Sequence, residues 1–271
     1  IQQSITSFVN LLDNIMVGAL GAEAISSVSI ANQVLFVFQL AAFGGMSAIS
    51  IFCAQFYGKG DMEGGRFAFR TKILFFLILS AVSVLLIMLF GENFVSLFLQ
   101  GESSGGDIAL TLTEPVRYLR VILIGFVPFI LTQVYSSTLR ATGQPFVHML
   151  ASTVAILVNL LFNWLLIYGN LGFPEWGIFG AAVATSLSRF FEIAILIIYT
   201  HTHTARYPFM KGAYRSLYVP GELILRIVKT GFPLFLNEIL WSFGMTMTNQ
   251  GYSIRGLDVV ASVNIATTAW S

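Results

Sequence analysis

Seven mostly apolar stretches, separated by glycine, proline or charge, decide what this chain can fold into. They cover approximately residues 1–20, 23–56, 67–90, 112–139, 146–169, 177–200 and 230–252, and an eighth opens near Asp258. Each approaches or exceeds the roughly 20 residues that a helix needs to cross hydrocarbon. In lipid every backbone N–H and C=O must be satisfied internally, which leaves helices or closed barrels. The two-residue alternation of a barrel strand is absent, so helices are expected. A chain that is 56% hydrophobic and 10% charged lies outside the range of soluble domains. The expected fold is an all-α polytopic membrane protein, with the longest runs tilted or protruding past the bilayer.

Charge is sorted by side, and that sets orientation. Lys59, Arg66, Arg70 and Lys72 follow the second run, Arg140 follows the fourth, and Arg206, Lys211, Arg215, Arg226 and Lys229 follow the sixth. The intervening loops carry Glu92, Glu102, Asp107, Glu114 and Glu175 without a single Lys or Arg. Basic residues accumulate on the cytoplasmic side, so a multi-pass protein of the cell membrane with a cytoplasmic N-terminus is predicted. A net charge of +1 supplies no field for nucleic acid. The single Cys53 excludes a disulfide within the chain. No cleavable signal pattern opens the sequence.

The basic segment between residues 200 and 229 interrupts the apolar pattern more than any other loop. It divides the chain into a six-helix membrane lobe (1–204), a cytoplasmic basic linker (205–229) and the start of a second membrane lobe (230–271). The halves repeat: Leu20–Ala31 aligns without gaps on Arg255–Ala266, pairing Gly21 with Gly256, Glu23 with Asp258 and Ser27 with Ser262. Two parallel halves of this kind are a secondary-transporter architecture. The chain starts without Met and stops inside the eighth run, so it is expected to be a piece of a longer protein.

Within this apolar background the polar residues stand out. Asp13 lies seven positions before Leu20, about 10 Å below the outer surface by helix rise. A carboxylate in hydrocarbon is costly enough to be a functional hypothesis in itself. Asn163, counted back from Asn170, has a similar depth of about 10 Å; Asn159 is near 16 Å on the same face and Thr185 about 12 Å down the next helix. Oxygen-bearing side chains in one layer suit a proton or a hard cation such as Na+. They equally suit hydrogen bonding between helices, and both readings stand. Arg189 is expected inside the membrane, paired with Glu192 one turn on.

Glu238, with Asn237 beside it and Trp241 one turn later, lies some 21 Å deep by helix rise. It could meet a cationic aromatic substrate, carry a proton, or pair structurally with a later helix. Pro233 is placed to kink that helix. His201 and His203 read as a solvated helix end more readily than as a metal site. No His-Glu-x-x-His or Gly-x-Ser-x-Gly pattern occurs, which argues against an intramembrane enzyme.

Several of these stretches, taken together and in order, resemble the multidrug and toxic compound extrusion (MATE) transporters. They are Asp13-Asn-Ile-Met-Val-Gly18, Gln55-Phe-Tyr-Gly-Lys-Gly60, Leu139-Arg-Ala-Thr-Gly-Gln-Pro145, Asn159-Leu-Leu-Phe-Asn163 and the run Gly172–Thr185. The resemblance implies a MATE-like helical bundle of two lobes, of which this chain would hold the six-helix N-terminal lobe and the first helices of the C-terminal one. It implies an efflux antiporter, not an enzyme, that exports small organic, often cationic compounds in exchange for H+ or Na+. It requires no cofactor beyond the coupling ion and no partner beyond substrate and bilayer, and a monomer is expected. The family's cation or proton site would map onto Asp13, Asn159 and Asn163, with Thr185 as a further member. Glu238 matches an acid used by a subset, with Trp241 and Asn237 beside it. Some relatives have Asp where this chain has Asn163, so a two-carboxylate proton scheme does not carry over directly. The alternative is a lipid-linked oligosaccharide flippase of the same superfamily, a function that calls for a basic cavity. Aligned through the repeat, Thr248 stands where the first half has Asp13.

Overall fold

The computed structural model describes residues 15–99, 108–204 and 207–253. Its regular elements are α1 (15–18), α2 (Ala22–Gly58), α3 (Met62–Leu99), α4 (Ile108–Ala141), α5 (Pro145–Tyr168), α6 (Gly177–Thr202) and α7 (Gly221–Ser253). Short 3-10 turns occur at Asn170–Gly172, Pro208–Met210 and Ala213–Arg215, and no strand occurs among the described residues. The apolar runs therefore become helices. Five of them, in α2 to α6, are long and apolar enough to cross a membrane. The helices extend beyond the runs that announce them, most clearly at α7, which starts at Gly221 instead of near 230 and passes Pro233 without interruption. Glu222, Arg226 and Lys229 occupy its first turns, where charge hides helix from a hydropathy reading.

α4 is the axis of the lobe. In its most apolar 18-residue window 72% of the residues are buried, against 17–44% in the other four spans. It packs against α2, α3 and α6, while α5 lies on α6 and α7 on α2. Leu119, Ile130, Val134 and Leu139 of α4 are buried in the main cluster with Phe69 of α3, Ile167 of α5 and Leu196 of α6. The opposite is seen on the perimeter. Ile78, Val82, Leu85 and Leu89 of α3, with Leu157 and Leu161 of α5, are exposed. On a water-soluble surface so much exposed aliphatic area would invite association; here it is the face a bilayer solvates.

Close helix approach depends on two glycines of α4 and α6. A Cβ on Gly180 would lie 2.5 Å from the Leu166 carbonyl oxygen of α5, and one on Gly125 would lie 2.5 Å from the Ser186 Cα of α6. Small residues at such crossings let backbones meet, which is the main packing device where lipid removes the hydrophobic incentive. The pair sets α6 between α4 and α5.

The segment from Tyr207 to Val219, inside the stretch read from sequence as a linker, is docked on the lobe. Tyr207, Phe209, Met210 and Ala213 are buried. Arg70 of α3 donates through Nε to the Ala213 carbonyl at 2.9 Å, through Nη2 to Gly212 at 3.1 Å and through Nη1 to Tyr218 at 3.3 Å. Tyr214 inserts beside Phe69, Tyr135 and His201, its hydroxyl hydrogen-bonded to that of Tyr135. Burial holds the Tyr214 hydroxyl above the ordinary tyrosine range, against the opposing effect of that hydrogen bond. It therefore remains a protonated donor and acceptor at neutral pH.

Candidate functional site

The centre of the lobe's polar chemistry is the contact of α5 with α6. Asn159 and Asn163 are one turn apart, so both amides emerge on the same face, and that face is buried against α6. Asn163 Nδ2 donates to Asn159 Oδ1 at 3.3 Å, and Asn159 Nδ2 donates to Thr185 Oγ1 at 3.2 Å. The three residues form a continuous ladder across the contact of α5 with α6. Helix-rise counting placed Thr185 between the depths of the two asparagines, and the hydrogen bond connects it to one of them. Asp13 lies outside the described residues. The described chain resumes at Ile15, and Met16 accepts a hydrogen bond through its carbonyl from the Tyr168 hydroxyl at the end of α5, at 3.3 Å. The end of the first span is thus pinned to the helix that carries both asparagines, with Val17 buried in the shared core.

Thr185 also faces a cavity of about 90 Å³ between α2, α4 and α6. Asn32 and Gln39 of α2, Phe126 and Phe129 of α4, and Arg189 of α6 line it with Thr185. Asn32 and Gln39 were not singled out from sequence. The signal was present in their seven-residue spacing, two helical turns, which puts both amides on one face of an apolar helix. Arg189 meets the Glu192 carboxylate at 2.9 Å, as its spacing predicts, and its guanidinium lies 5.2 Å from the centre of the Phe129 ring. Glu192 is buried while the Arg189 side chain is 38% exposed, so the pair stands at the edge of the buried interior.

Asn237 is exposed and Trp241 is 58% exposed, both on α7 beyond the lobe's core. Of Glu238 the structure describes the helical backbone alone. The two histidines at the end of α6 are held locally. His201 Nε2 lies 3.3 Å from the Tyr135 hydroxyl, and His203 stacks on Tyr199 with its Nδ1 2.9 Å from the Tyr199 carbonyl. Among the described residues no group of three or more His, Cys, Asp or Glu is arranged to hold a metal.

A bundle of membrane-length helices, with an amide and hydroxyl ladder at the contact of α5 with α6, defines a polytopic α-helical membrane protein. The family model described as MatE matches residues 1–165, and the chain belongs to this family. It is 28% identical over 255 residues to the probable multidrug resistance protein NorM of Thermotoga maritima, covering 94% of this chain and 53% of that protein. It is 24% identical over 227 residues to the multidrug resistance protein NorM of Vibrio cholerae, covering 83% of this chain and 48% of that one. A solved structure described as the outward-facing conformation of a multidrug resistance MATE family transporter of the MOP superfamily superposes with a TM-score of 0.82 at 23% identity, over 98% of this chain and 56% of its own. The chain spans about half the length of the curated relatives it matches.

Proposed function

We propose that this chain forms the N-terminal lobe and the opening of the C-terminal lobe of a secondary active efflux antiporter, which exports organic, often cationic compounds in exchange for H+ or Na+. The observation that carries the reading is the Asn163–Asn159–Thr185 ladder, buried in the membrane span of a chain that belongs to the MatE family. The relatives are named multidrug resistance proteins, and that name supports efflux of drug-like compounds as the activity. In this reading the N-terminus is cytoplasmic, residues 205–229 connect the lobes on that side, and Asp13 is the carboxylate served by the ladder. A proton or Na+ reaching Asp13 changes the charge of the layer and favours one packing of the first, fifth and sixth helices. Coupling then follows from unequal binding of ion and substrate to the two packings. Asn237, Glu238 and Trp241 would belong to the substrate or proton path of the second lobe.

The test is transport by the full-length protein in vesicles, measured as efflux of a fluorescent cationic dye under an imposed H+ or Na+ gradient applied separately. Asp13→Asn is expected to abolish gradient-driven export while membrane insertion persists. Undiminished export by that variant would overturn the assignment of Asp13. Export driven by neither gradient would overturn the antiporter.

A further inference from the structure

The polar layer leaves one buried charge unused. Lys72 of α3 is wholly buried, and its Nζ donates to Ser137 Oγ at 2.9 Å and to Thr138 Oγ1 at 3.1 Å on α4. Both hydroxyls spend their own hydrogen on the Val134 carbonyl, at 3.1 and 2.7 Å, so each presents lone pairs to the ammonium. They solvate the charge without neutralising it. A buried ammonium is ordinarily paired with a carboxylate, because desolvation is otherwise uncompensated. Here the ion pairs among the described residues are Arg120 with Glu92 and Arg189 with Glu192, and neither involves Lys72. The titratable neighbours within electrostatic reach are the Cys53 thiol, neutral in its ordinary state, and Arg140, one turn beyond Ser137, which is another cation. Two positive charges at one end of α4 thus share a neighbourhood that contains no described anion.

Ser137 has a second role. It lines a cleft of about 350 Å³ between α2 and α4, together with Ser47, Gln133 and Arg140 as polar neighbours and Phe43 and Ile51 as apolar ones. That volume falls in the range of small-molecule pockets, roughly 300–1,000 Å³. One side of the cleft is cationic: Arg140 stands at it directly, and Lys72 lies one hydroxyl behind its wall. The α2 side is mixed, with Phe43, Met46 and Ile51 beside Ser47 and Ser50.

We propose that this cleft binds the anionic oxygen group, carboxylate or phosphate, of an amphipathic small molecule, with Arg140 contacting the anion, Lys72 supplying the second charge through Ser137, and Phe43 and Ile51 receiving the hydrocarbon part. An anion there would give Lys72 and Arg140 the counter-charge that the described residues do not provide. The site is separate from the Asn163–Asn159–Thr185 ladder and does not depend on which ion drives transport. Two sources carry this chemistry, a soluble amphipathic acid and an anionic phospholipid.

The experiment uses the full-length protein in an uncharged detergent, with radiolabelled decanoate as the probe and its uncharged amide as the control ligand. Decanoate is expected to bind saturably, with the amide weaker by about tenfold or more, and Arg140→Gln and Lys72→Met each weakening decanoate by about tenfold. Arg215→Gln, which removes an exposed cation from the same end of the lobe, is expected to bind as the unaltered protein does. Phosphatidylglycerol and phosphatidylcholine are then added as competitors. Displacement by the former alone identifies lipid as a source, and failure of both to displace identifies the soluble acid. Equal affinity for decanoate and its amide, or unchanged decanoate affinity in Arg140→Gln, overturns the proposal. Arg140 is exposed, so its variant decides the matter even if Lys72→Met does not fold.

Discussion

Thr185 is the residue on which the polar layer turns, because it accepts from Asn159 on one side and borders the cavity shared with Asn32 and Arg189 on the other. Thr185→Val keeps the shape and removes the acceptor. The Asn159 amide then loses a partner in the membrane interior, a change expected to cost roughly 0.5–2 kcal/mol of stability. Thr185→Ser, which restores the oxygen, is expected to recover most of that, and thermal unfolding of the two variants side by side checks the difference. The layer itself was legible in the chain, since helix rise alone puts Asn159, Asn163 and Thr185 at comparable depth. Their hydrogen-bond order was not, because depth counting fixes height and leaves rotation about the helix axis open. The same gap concealed the role of Asn32 and Gln39: their spacing puts both on one face of α2 but leaves open which neighbour that face meets.

At the scale of elements, the decisive contacts are those where helices touch backbone to backbone. Gly180→Val would drive its branched carbon into the Leu166 carbonyl, and Gly125→Val would meet Ser186 from the other side. Each is expected to destabilise the lobe by about 1–3 kcal/mol, read as a lowered thermal midpoint in detergent. Gly143→Ala, at a turn where a Cβ would find open space, is expected to disturb packing less, its cost coming from a backbone φ of +79°. The segment after α6 offers a different test. Arg70→Met removes donors from three carbonyls at once, so proteolysis between residues 207 and 219 should accelerate severalfold while the spans remain intact. Reading that segment as a linker followed from its basic side chains and lack of periodicity. Its attachment was not readable, because it rests on a long-range match between an arginine fork and backbone carbonyls 142–148 positions away.

For the whole molecule, the apolar runs were sufficient to indicate a helical membrane protein, because hydrocarbon permits so few alternatives. They located the core helices and underestimated their ends, where charged residues continue a helix past the bilayer. They were silent on centrality: α3 has the most apolar window, yet α4, less apolar, is the buried axis, since a span facing lipid has as much reason to be greasy as one facing protein. The fastening of the segment after α6 has a mechanical consequence for such a body. With Gly212, Ala213 and Tyr218 all gripped by Arg70, the slack before α7 is confined to Val219 and Pro220, a reach of about 7 Å when extended. Excursions of α7 beyond that reach must be absorbed by bending the helix or by releasing the grip, which makes the joint a short crank instead of a loose rope.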